Sequence, residues 1–83
     1  MKIVYFAWLR EKAGISEEDV SPPASVKDVQ GLIEWLRARD AGHAEALADL
    51  SVVRVAVNQE YVQLDHPVDS GDEIAMFPPV TGG

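Results

Sequence analysis

The stretch Lys2-Ile3-Val4-Tyr5-Phe6-Ala7-Trp8-Leu9 decides the fold of this chain. Its residues are mostly apolar, β-branched or aromatic, which favours a β-strand over residues 2–9. Both sets of alternating side chains are apolar: Ile3, Tyr5, Ala7 and Leu9 on one face, and Val4, Phe6 and Trp8 on the other. A strand with one solvent-exposed face would alternate between apolar and polar residues. We therefore expect this strand to be covered on both sides.

The clearest helical signal lies further along the chain. Five apolar residues recur at helical spacing: Val26, Val29, Leu32, Ile33 and Leu36. This stripe predicts a helix over residues 25–39. Ser25 is the expected N-cap, with Asp28 three residues on, as in a capping box. Trp35 falls just off the stripe, and we expect it in the core rather than in a ligand site.

The remaining elements are shorter. Strands are predicted over residues 16–20, 52–57, 61–64 and 73–77, and helical segments over residues 10–14 and 43–50. One long helix with several strands predicts an α+β fold of the ubiquitin-like β-grasp type, a mixed sheet packed on one main helix. In that fold type the first and last strands are parallel neighbours at the sheet centre. We expect residues 1–78 to form the domain and residues 79–83 a flexible tail.

One helix covers only one face of such a sheet. Strand alternation therefore leaves four apolar residues of the first and last strands without a helical cover: Phe6, Trp8, Ala75 and Phe77. An uncovered apolar patch usually marks a binding surface. The alternative is that loops cover these residues.

Charge and composition exclude several classes of function. The 83-residue chain has 14 acidic and 7 basic residues, a net charge of −7, which argues against nucleic acid and anionic membranes as partners. A basic protein partner is compatible with that charge, and so is a surface that only keeps the domain soluble. The chain has no cysteine and no apolar stretch of transmembrane length. We expect a cytoplasmic protein.

The end of the chain, Gly82-Gly83, is the strongest chemical candidate. Pro78-Pro79 stiffens the chain before it, and two residues without a Cβ can thread a narrow channel. The reactive group delivered there is the α-carboxylate of Gly83. Joined to AMP it becomes an acyl adenylate, and attack by a sulfur nucleophile leaves a thiocarboxylate, so a sulfur carrier needs no cysteine. The alternative is an inert, frayed end.

Other candidate residues favour structural roles. His43 and His66 lack metal-ligand spacing, and His66 lies in the turn Asp65-His66-Pro67. The acidic residues Asp69, Asp72 and Glu73 fit a turn better than a calcium loop. Neither the order of residues nor the size of the domain favours a catalytic triad.

Residues 71–83, ending Phe-Pro-Pro-Val-Thr-Gly-Gly, resemble the small subunit of molybdopterin synthase, the MoaD-like sulfur carriers. Val57-Asn58-Gln59 and Asp65-His66-Pro67 fit the same pattern, as do Tyr5-Phe6-Ala7 and Leu9-Arg10-Glu11. The resemblance implies a β-grasp domain that is not an enzyme on its own and binds no cofactor or metal. An adenylating, E1-like enzyme would use ATP and magnesium to activate Gly83, and a sulfur donor protein would supply sulfur for a thiocarboxylate.

In that family the large subunit of molybdopterin synthase receives the tail. Sulfur then passes to cyclic pyranopterin monophosphate to build the dithiolene of molybdopterin, in a complex that is typically a heterotetramer. By resemblance Gly83 carries the acyl group and Gly82 gives it passage. The expected partner-binding residues are Phe6, Tyr61, Phe77, Pro78, Pro79, Val80 and Thr81. Tyr61 departs from the aliphatic residue expected at its position.

Three other functions remain open on the sequence. A carrier for thiamine synthesis is disfavoured by the Pro78-Pro79 motif, and a ubiquitin-like protein modifier would join Gly83 to lysines of other proteins. A non-catalytic interaction module would bind through its apolar patch and leave the tail inert. Because the domain is so small, a stand-alone enzyme is the least favoured function.

Overall fold

A mixed sheet forms the framework of the protein. The computed structural model describes residues 1–79. Within them the strands are β1 (Lys2–Tyr5), β2 (Glu17–Asp19), β3 (Arg54–Val57), β4 (Glu60–Val62) and β5 (Glu73–Phe77), in the sheet order β2-β1-β5-β3-β4. The central pair β1 and β5 is parallel, and the other pairs are antiparallel. This arrangement confirms the predicted α+β, β-grasp topology, including the parallel pairing.

Three α-helices connect the strands within residues 1–79: α1 (Ala7–Ala13), α2 (Val29–Arg37) and α3 (Ala41–Ala46), and a 3₁₀ turn (Leu50–Val52) precedes β3. Helix α1 ends at Gly14, whose φ of 81° is the left-handed conformation that glycine adopts without strain. Asp40 caps α3 by accepting a hydrogen bond from the backbone N–H of His43 at 2.8 Å. No helix within these residues is long and apolar enough to cross a membrane.

The first strand is shorter than the sequence predicts. Strand β1 ends at Tyr5, and Ala7, with a left-handed φ of 54°, turns the chain into α1. Leu9 is therefore fully buried on a helix, and Trp8 packs partly buried against the core. Placing Trp8 on the uncovered face of the sheet was wrong. A continuous apolar run has no periodicity that marks where a strand stops and a helix begins.

The main helix begins later than predicted. Its N-cap is Asp28, which accepts a hydrogen bond from the N–H of Gly31 at 2.8 Å, and Ser25 lies in the preceding turn. The cause is tertiary. The N–H of Val68 donates to the carbonyl of Lys27 at 3.0 Å, and Asp28 bridges to Pro67, so this segment pairs with a distant loop instead of coiling.

The core lies between the inner face of the sheet and the helices. The α2 stripe is confirmed: Val29, Leu32, Ile33 and Leu36 are fully buried, and Val26 is partly buried against them. They meet the inward side chains of β1, β3 and β5: Ile3, Tyr5, Val55, Val57, Ile74 and Met76. Each buried aliphatic side chain contributes about 1.5–3 kcal/mol, so this layer carries the stability of the domain.

Candidate docking surface and carrier tail

The outer face of the sheet has no helix over its aromatic residues. On β5 the inward residues Ile74 and Met76 are fully buried, whereas the outward Ala75 and Phe77 are only half-buried. Phe6 is 48% exposed and Tyr61 is 80% exposed. The prediction of an uncovered apolar face is therefore confirmed for Phe6, Ala75 and Phe77, and loops do not bury them.

Tyr61 and Phe77 meet on this face, with ring centroids 5.3 Å apart and planes tilted by 41°. The strand register explains the contact: Ala56 of β3 lies opposite both Tyr61 of β4 and Ala75 of β5. Ala75 is half-buried on this face, and Ala56, between Tyr61 and Ala75, is buried. A tilted aromatic pair of this kind contributes about 0.5–1.5 kcal/mol beyond its burial.

Phe6 extends the same surface beyond the end of β1. Its N–H donates to the carbonyl of Met76 at 3.0 Å, so Phe6 follows the last paired residue of β1 just as Phe77 follows Met76 in β5. We call Phe6, Tyr61, Phe77, Ala56 and Ala75 the docking surface. The structure thus brings three of the predicted partner-binding residues to one face of one sheet.

The tail leaves from this surface. Phe77 is the last residue of β5, which lies at the centre of the sheet, and the half-buried Pro78 and Pro79 follow it. Proline fixes φ, so the exit is extended. The predicted tail residues Val80, Thr81, Gly82 and Gly83 lie outside the described residues. Their roles, and the predicted boundary between domain and tail, stay predictions.

The opposite end of β5 is held by a clamp between two turns. Asn58 donates from its amide to the Asp72 carboxylate at 2.9 Å, and its amide oxygen accepts the N–H of Glu73 at 3.0 Å. The N–H of Asp69 donates to the same carboxylate at 2.8 Å. The Asp69 N–H, with help from the Asn58 amide, lowers the pKa of Asp72. These contacts confirm that the acidic turn is structural and show that it fixes where β5 begins.

The two central residues of the β3–β4 hairpin explain why Asn58 can form that clamp. Asn58 and Gln59 have left-handed φ values of 50° and 72°. Two such residues are typical of a type I′ turn, whose twist suits a tight hairpin. The turn predicted at these positions is confirmed, and it brings the Asn58 side chain to the start of β5.

His43 has a role that the sequence did not reveal. Its side chain is buried, with the residue 4% exposed, and its two ring nitrogens meet two carboxylates: Nδ1 lies 2.8 Å from Asp40 and Nε2 lies 2.7 Å from Glu18. Tyr5 also donates to Glu18, at 2.8 Å, and the Arg39 guanidinium lies 3.4 Å from it. Asp40 could have been suspected as a helix cap three residues away, but no local pattern links His43 to Glu18.

The two carboxylates of this network favour the charged form of the His43 imidazole. Burial alone would lower the pKa of His43, but hydrogen bonds to Glu18 and Asp40 outweigh it and raise the pKa. Burial and the bond to Glu18 raise the pKa of Tyr5, which keeps its proton. The network joins β1, β2 and α3 on the helix side of the sheet. It is therefore structural, not part of the docking surface.

The other singled-out residues are structural as predicted. Trp35 packs partly buried against the core, and the Arg39 guanidinium lies 5.1 Å from its ring centre. His66 lies in a turn, where its carbonyl accepts the N–H of Val29 at 3.0 Å. Within residues 1–79 no group of three or more His, Cys, Asp or Glu side chains is arranged so that it could hold a metal ion.

The domain is of the ubiquitin-like β-grasp class, with an open aromatic face beside its C-terminal strand. The ThiS family model matches residues 3–83. The molybdopterin synthase sulfur carrier subunit of Escherichia coli is 41% identical over 83 residues, spanning 100% of this chain and 99% of that protein. The chain belongs to the ThiS family.

Solved structures agree with this assignment. A putative molybdopterin converting factor, subunit 1, from Pyrococcus furiosus matches with a TM-score of 0.79 and 34% identity, covering 95% of each chain. SAMP1, a small archaeal modifier protein of Haloferax volcanii, matches with a TM-score of 0.75 and 29% identity over 100% of this chain and 98% of that one.

A third structure is a complex of subunits 1 and 2 of molybdopterin-converting factor from Helicobacter pylori. It matches with a TM-score of 0.65 and 25% identity, covering 99% of this chain and 96% of the matched one. Together with the full-length likeness to curated sulfur carrier subunits, these matches confirm the predicted family resemblance. The protein is a sulfur carrier.

Proposed function

We propose that this chain is the sulfur-carrier subunit of a molybdopterin synthase and that Gly83 carries the sulfur as a thiocarboxylate. The observation that carries the proposal is the continuity between the open aromatic face and the exit of the tail: Phe77 belongs to the docking surface and is also the last residue of β5. A partner that binds this surface receives the tail directly. The likeness to subunit 1 in the Helicobacter pylori complex supports the large subunit as that partner.

The proposed chemistry begins with activation of the tail. The Gly83 carboxylate attacks the α-phosphate of ATP on an adenylating, E1-like enzyme with magnesium, and pyrophosphate leaves. Hydrosulfide delivered by a donor protein then attacks the carbonyl carbon of the acyl adenylate, and AMP and a proton leave. The product is a thiocarboxylate. Gly82, without a Cβ, allows the end to pass through a narrow channel.

In the second stage the loaded tail enters the large subunit. The thiocarboxylate sulfur forms a bond to a carbon of cyclic pyranopterin monophosphate while a carbon–oxygen bond at that carbon breaks. Water then hydrolyses the resulting thioester, which leaves the sulfur on the pterin and releases the carrier as a carboxylate. Two such transfers make the dithiolene of molybdopterin. We assign the acids and bases of this step to the large subunit. The carrier supplies the sulfur and the docking surface.

Reconstitution tests the proposal. The chain is mixed with a large subunit, an adenylating enzyme, ATP, magnesium, a sulfur donor and cyclic pyranopterin monophosphate, and molybdopterin formation is measured. Deleting Gly83 is expected to abolish product while leaving the thermal unfolding curve unchanged. Gly71→Ala is the matched control, because a Cβ there meets no atom within 4 Å. Product formation by the truncated chain would contradict the proposal.

Protein modification is a second candidate, favoured by the likeness to the Haloferax modifier. In that function Gly83 forms an isopeptide bond with lysines of other proteins. Mass spectrometry of proteins co-purified from cells under denaturing conditions separates the two. Remnants of the Gly-Gly end on target lysines support modification, whereas a free chain ending in a thiocarboxylate supports the carrier alone.

A further inference from the structure

The outer face of the sheet carries two cations in different surroundings. Lys2 of β1 lies 3.1 Å from Glu17 and 4.0 Å from Glu73, so two carboxylates offset its charge. Arg54 of β3 has no carboxylate of residues 1–79 within 4.0 Å. A guanidinium that no carboxylate of residues 1–79 offsets, on one face of a chain with a net charge of −7, calls for a reason.

Arg54 sits at the border of the docking surface. It lies directly opposite Phe77 in the register of β3 and β5, so both side chains point to the same face. Beside them is an open cavity of about 310 Å³, lined by Arg54, Val55, Tyr61, Val62, Gln63 and Phe77. The two rings of the docking surface thus form one wall of a pocket that also contains a guanidinium and an amide.

The guanidinium is held in place. Its Nη1 donates to the carbonyl of Ser51 at 3.2 Å and to that of Val53 at 3.3 Å. Both contacts use Nη1, so the N–H groups of the other two guanidinium nitrogens, Nε and Nη2, remain for a ligand. An anchored arginine loses less side-chain entropy on binding than a freely moving one.

We propose that Arg54 is the polar anchor of the docking surface and binds a carboxylate side chain of the partner protein. The inference rests on the proposed function, in which a protein partner covers this surface. The planar fork of the guanidinium matches a carboxylate with two parallel hydrogen bonds. Once the partner covers this surface, the rings of Tyr61 and Phe77 and the partner exclude water beside the guanidinium, which strengthens the charge pair. The aromatic rings supply apolar contact, and Arg54 sets the register of the complex.

Two substitutions that each remove one positive charge test the proposal. Arg54→Gln removes the guanidinium at the docking surface. Arg37→Gln removes one from the exposed end of α2, in the helix layer, and so matches the change in net charge. Association and dissociation rates with the large subunit are measured at low and high salt. Arg54→Gln is expected to raise Kd about tenfold, mainly through faster dissociation, and Arg37→Gln less than about twofold.

A third variant separates charge from shape. Arg54→Lys keeps the charge but loses the fork, so we expect a Kd about threefold above that of the wild-type chain. Because Arg54 is exposed, melting temperatures of all three variants are expected to stay close to that of the wild type. Equal Kd values for Arg54→Gln and Arg37→Gln overturn the proposal, as does a difference confined to the association rate.

Tyr61→Glu shows which of the two proposals has failed. Tyr61 is far more exposed than Phe77, so this change places a charge on the docking surface at little cost in folding. If Tyr61→Glu binds the large subunit as tightly as the wild type, the docking surface itself is wrong. If Tyr61→Glu loses affinity while both glutamine variants bind alike, the proposed function stands and only the role of Arg54 is wrong.

Discussion

The two faces of the sheet are built from the same strands but differ in burial: the inner face packs in the core, and the outer face is open. On the inner face Ile74 and Met76 of β5 are fully buried beneath the helices, next to the His43 network. On the outer face, one residue along the same strand in each case, Ala75 and Phe77 are half-buried and carry no helical cover. The alternation of a β-strand therefore separates the residues that hold the fold from those available to a partner.

This separation suits the proposed function, in which the carrier binds an adenylating enzyme and a large subunit in turn. The inner face keeps the domain folded while the outer face is free to bind, release and bind again. If the division is real, substitutions on one face should change stability with little effect on affinity, and substitutions on the other should do the reverse.

The largest expected effect on stability is on the inner face. Leu32→Ala removes a fully buried side chain of α2, and we expect it to lower the free energy of unfolding by about 2–5 kcal/mol. Tyr61→Ala, on the outer face, removes the contact with the Phe77 ring and should lower it by no more than about 1.5 kcal/mol. Urea denaturation measures both values. An equal loss for both variants would remove the distinction between the faces.

The largest expected effect on binding is on the outer face. Phe77→Asp places a charge at the centre of the docking surface, and we expect it to weaken binding to the large subunit by about 2 kcal/mol or more, roughly 30-fold. Gln30→Asp, on the exposed side of α2, adds the same charge and should bind as the wild type does. Titration calorimetry measures both affinities. A similar loss for the two variants would mean that net charge, not the surface, governs binding.

A smaller effect is expected from pH, through His43. Only an imidazolium can donate to both Glu18 and Asp40, because neutral imidazole has one N–H. Since the folded pKa of His43 is raised above 6.5, its stabilising contribution is complete below pH 6.5 and is lost as pH rises through the folded pKa. We expect the free energy of unfolding to fall over that range.

The control for this pH dependence uses the second histidine. His43→Gln should flatten the profile, while His66→Gln should leave it in place, since the His66 ring has no hydrogen bond among those of residues 1–79. Urea denaturation at a series of pH values gives the profiles. A wild-type profile that rises with pH in this window would contradict the assigned charge of His43.

The smallest expected effects on stability are at the two ends of α1, where Ala7 and Gly14 have left-handed φ values. Gly14→Ala forces an alanine into a left-handed conformation, and we expect a loss of about 1 kcal/mol. Ala7→Gly relieves the same kind of strain and should gain about 0.5 kcal/mol. Thermal unfolding measures both. A gain from Gly14→Ala would contradict the left-handed end of the helix.

The sequence predicts those features that depend on local patterns. Strand β5 spans the predicted residues, and Phe6 and Phe77 are on the open face because strand alternation determines it. The end of β1 was missed because the residues on both sides of it, Tyr5 in the strand and Leu9 in α1, are apolar. The sequence pattern therefore does not change where the strand gives way to the helix. The cap at Ser25 was wrong because a distant contact at Pro67 competes with local capping.

The chemistry of the site divides in the same way. The Gly-Gly end and the diproline are visible in the sequence, whereas the His43 network and the cavity beside Arg54 need the fold. Glu18 is 25 residues from His43, and Phe77 is opposite Arg54 only through the pairing of β3 with β5. No local signal encodes either contact.

Intact-protein mass spectrometry tests the central claim most directly, that sulfur is carried at Gly83. The chain is incubated with the adenylating enzyme, ATP, magnesium and a sulfur donor, and its mass is compared with that of a chain lacking Gly83. The full chain is expected to gain the mass difference between sulfur and oxygen, located at Gly83 by fragmentation, and the truncated chain is expected to gain nothing. No gain in the full chain, or an equal gain in the truncated one, would contradict it.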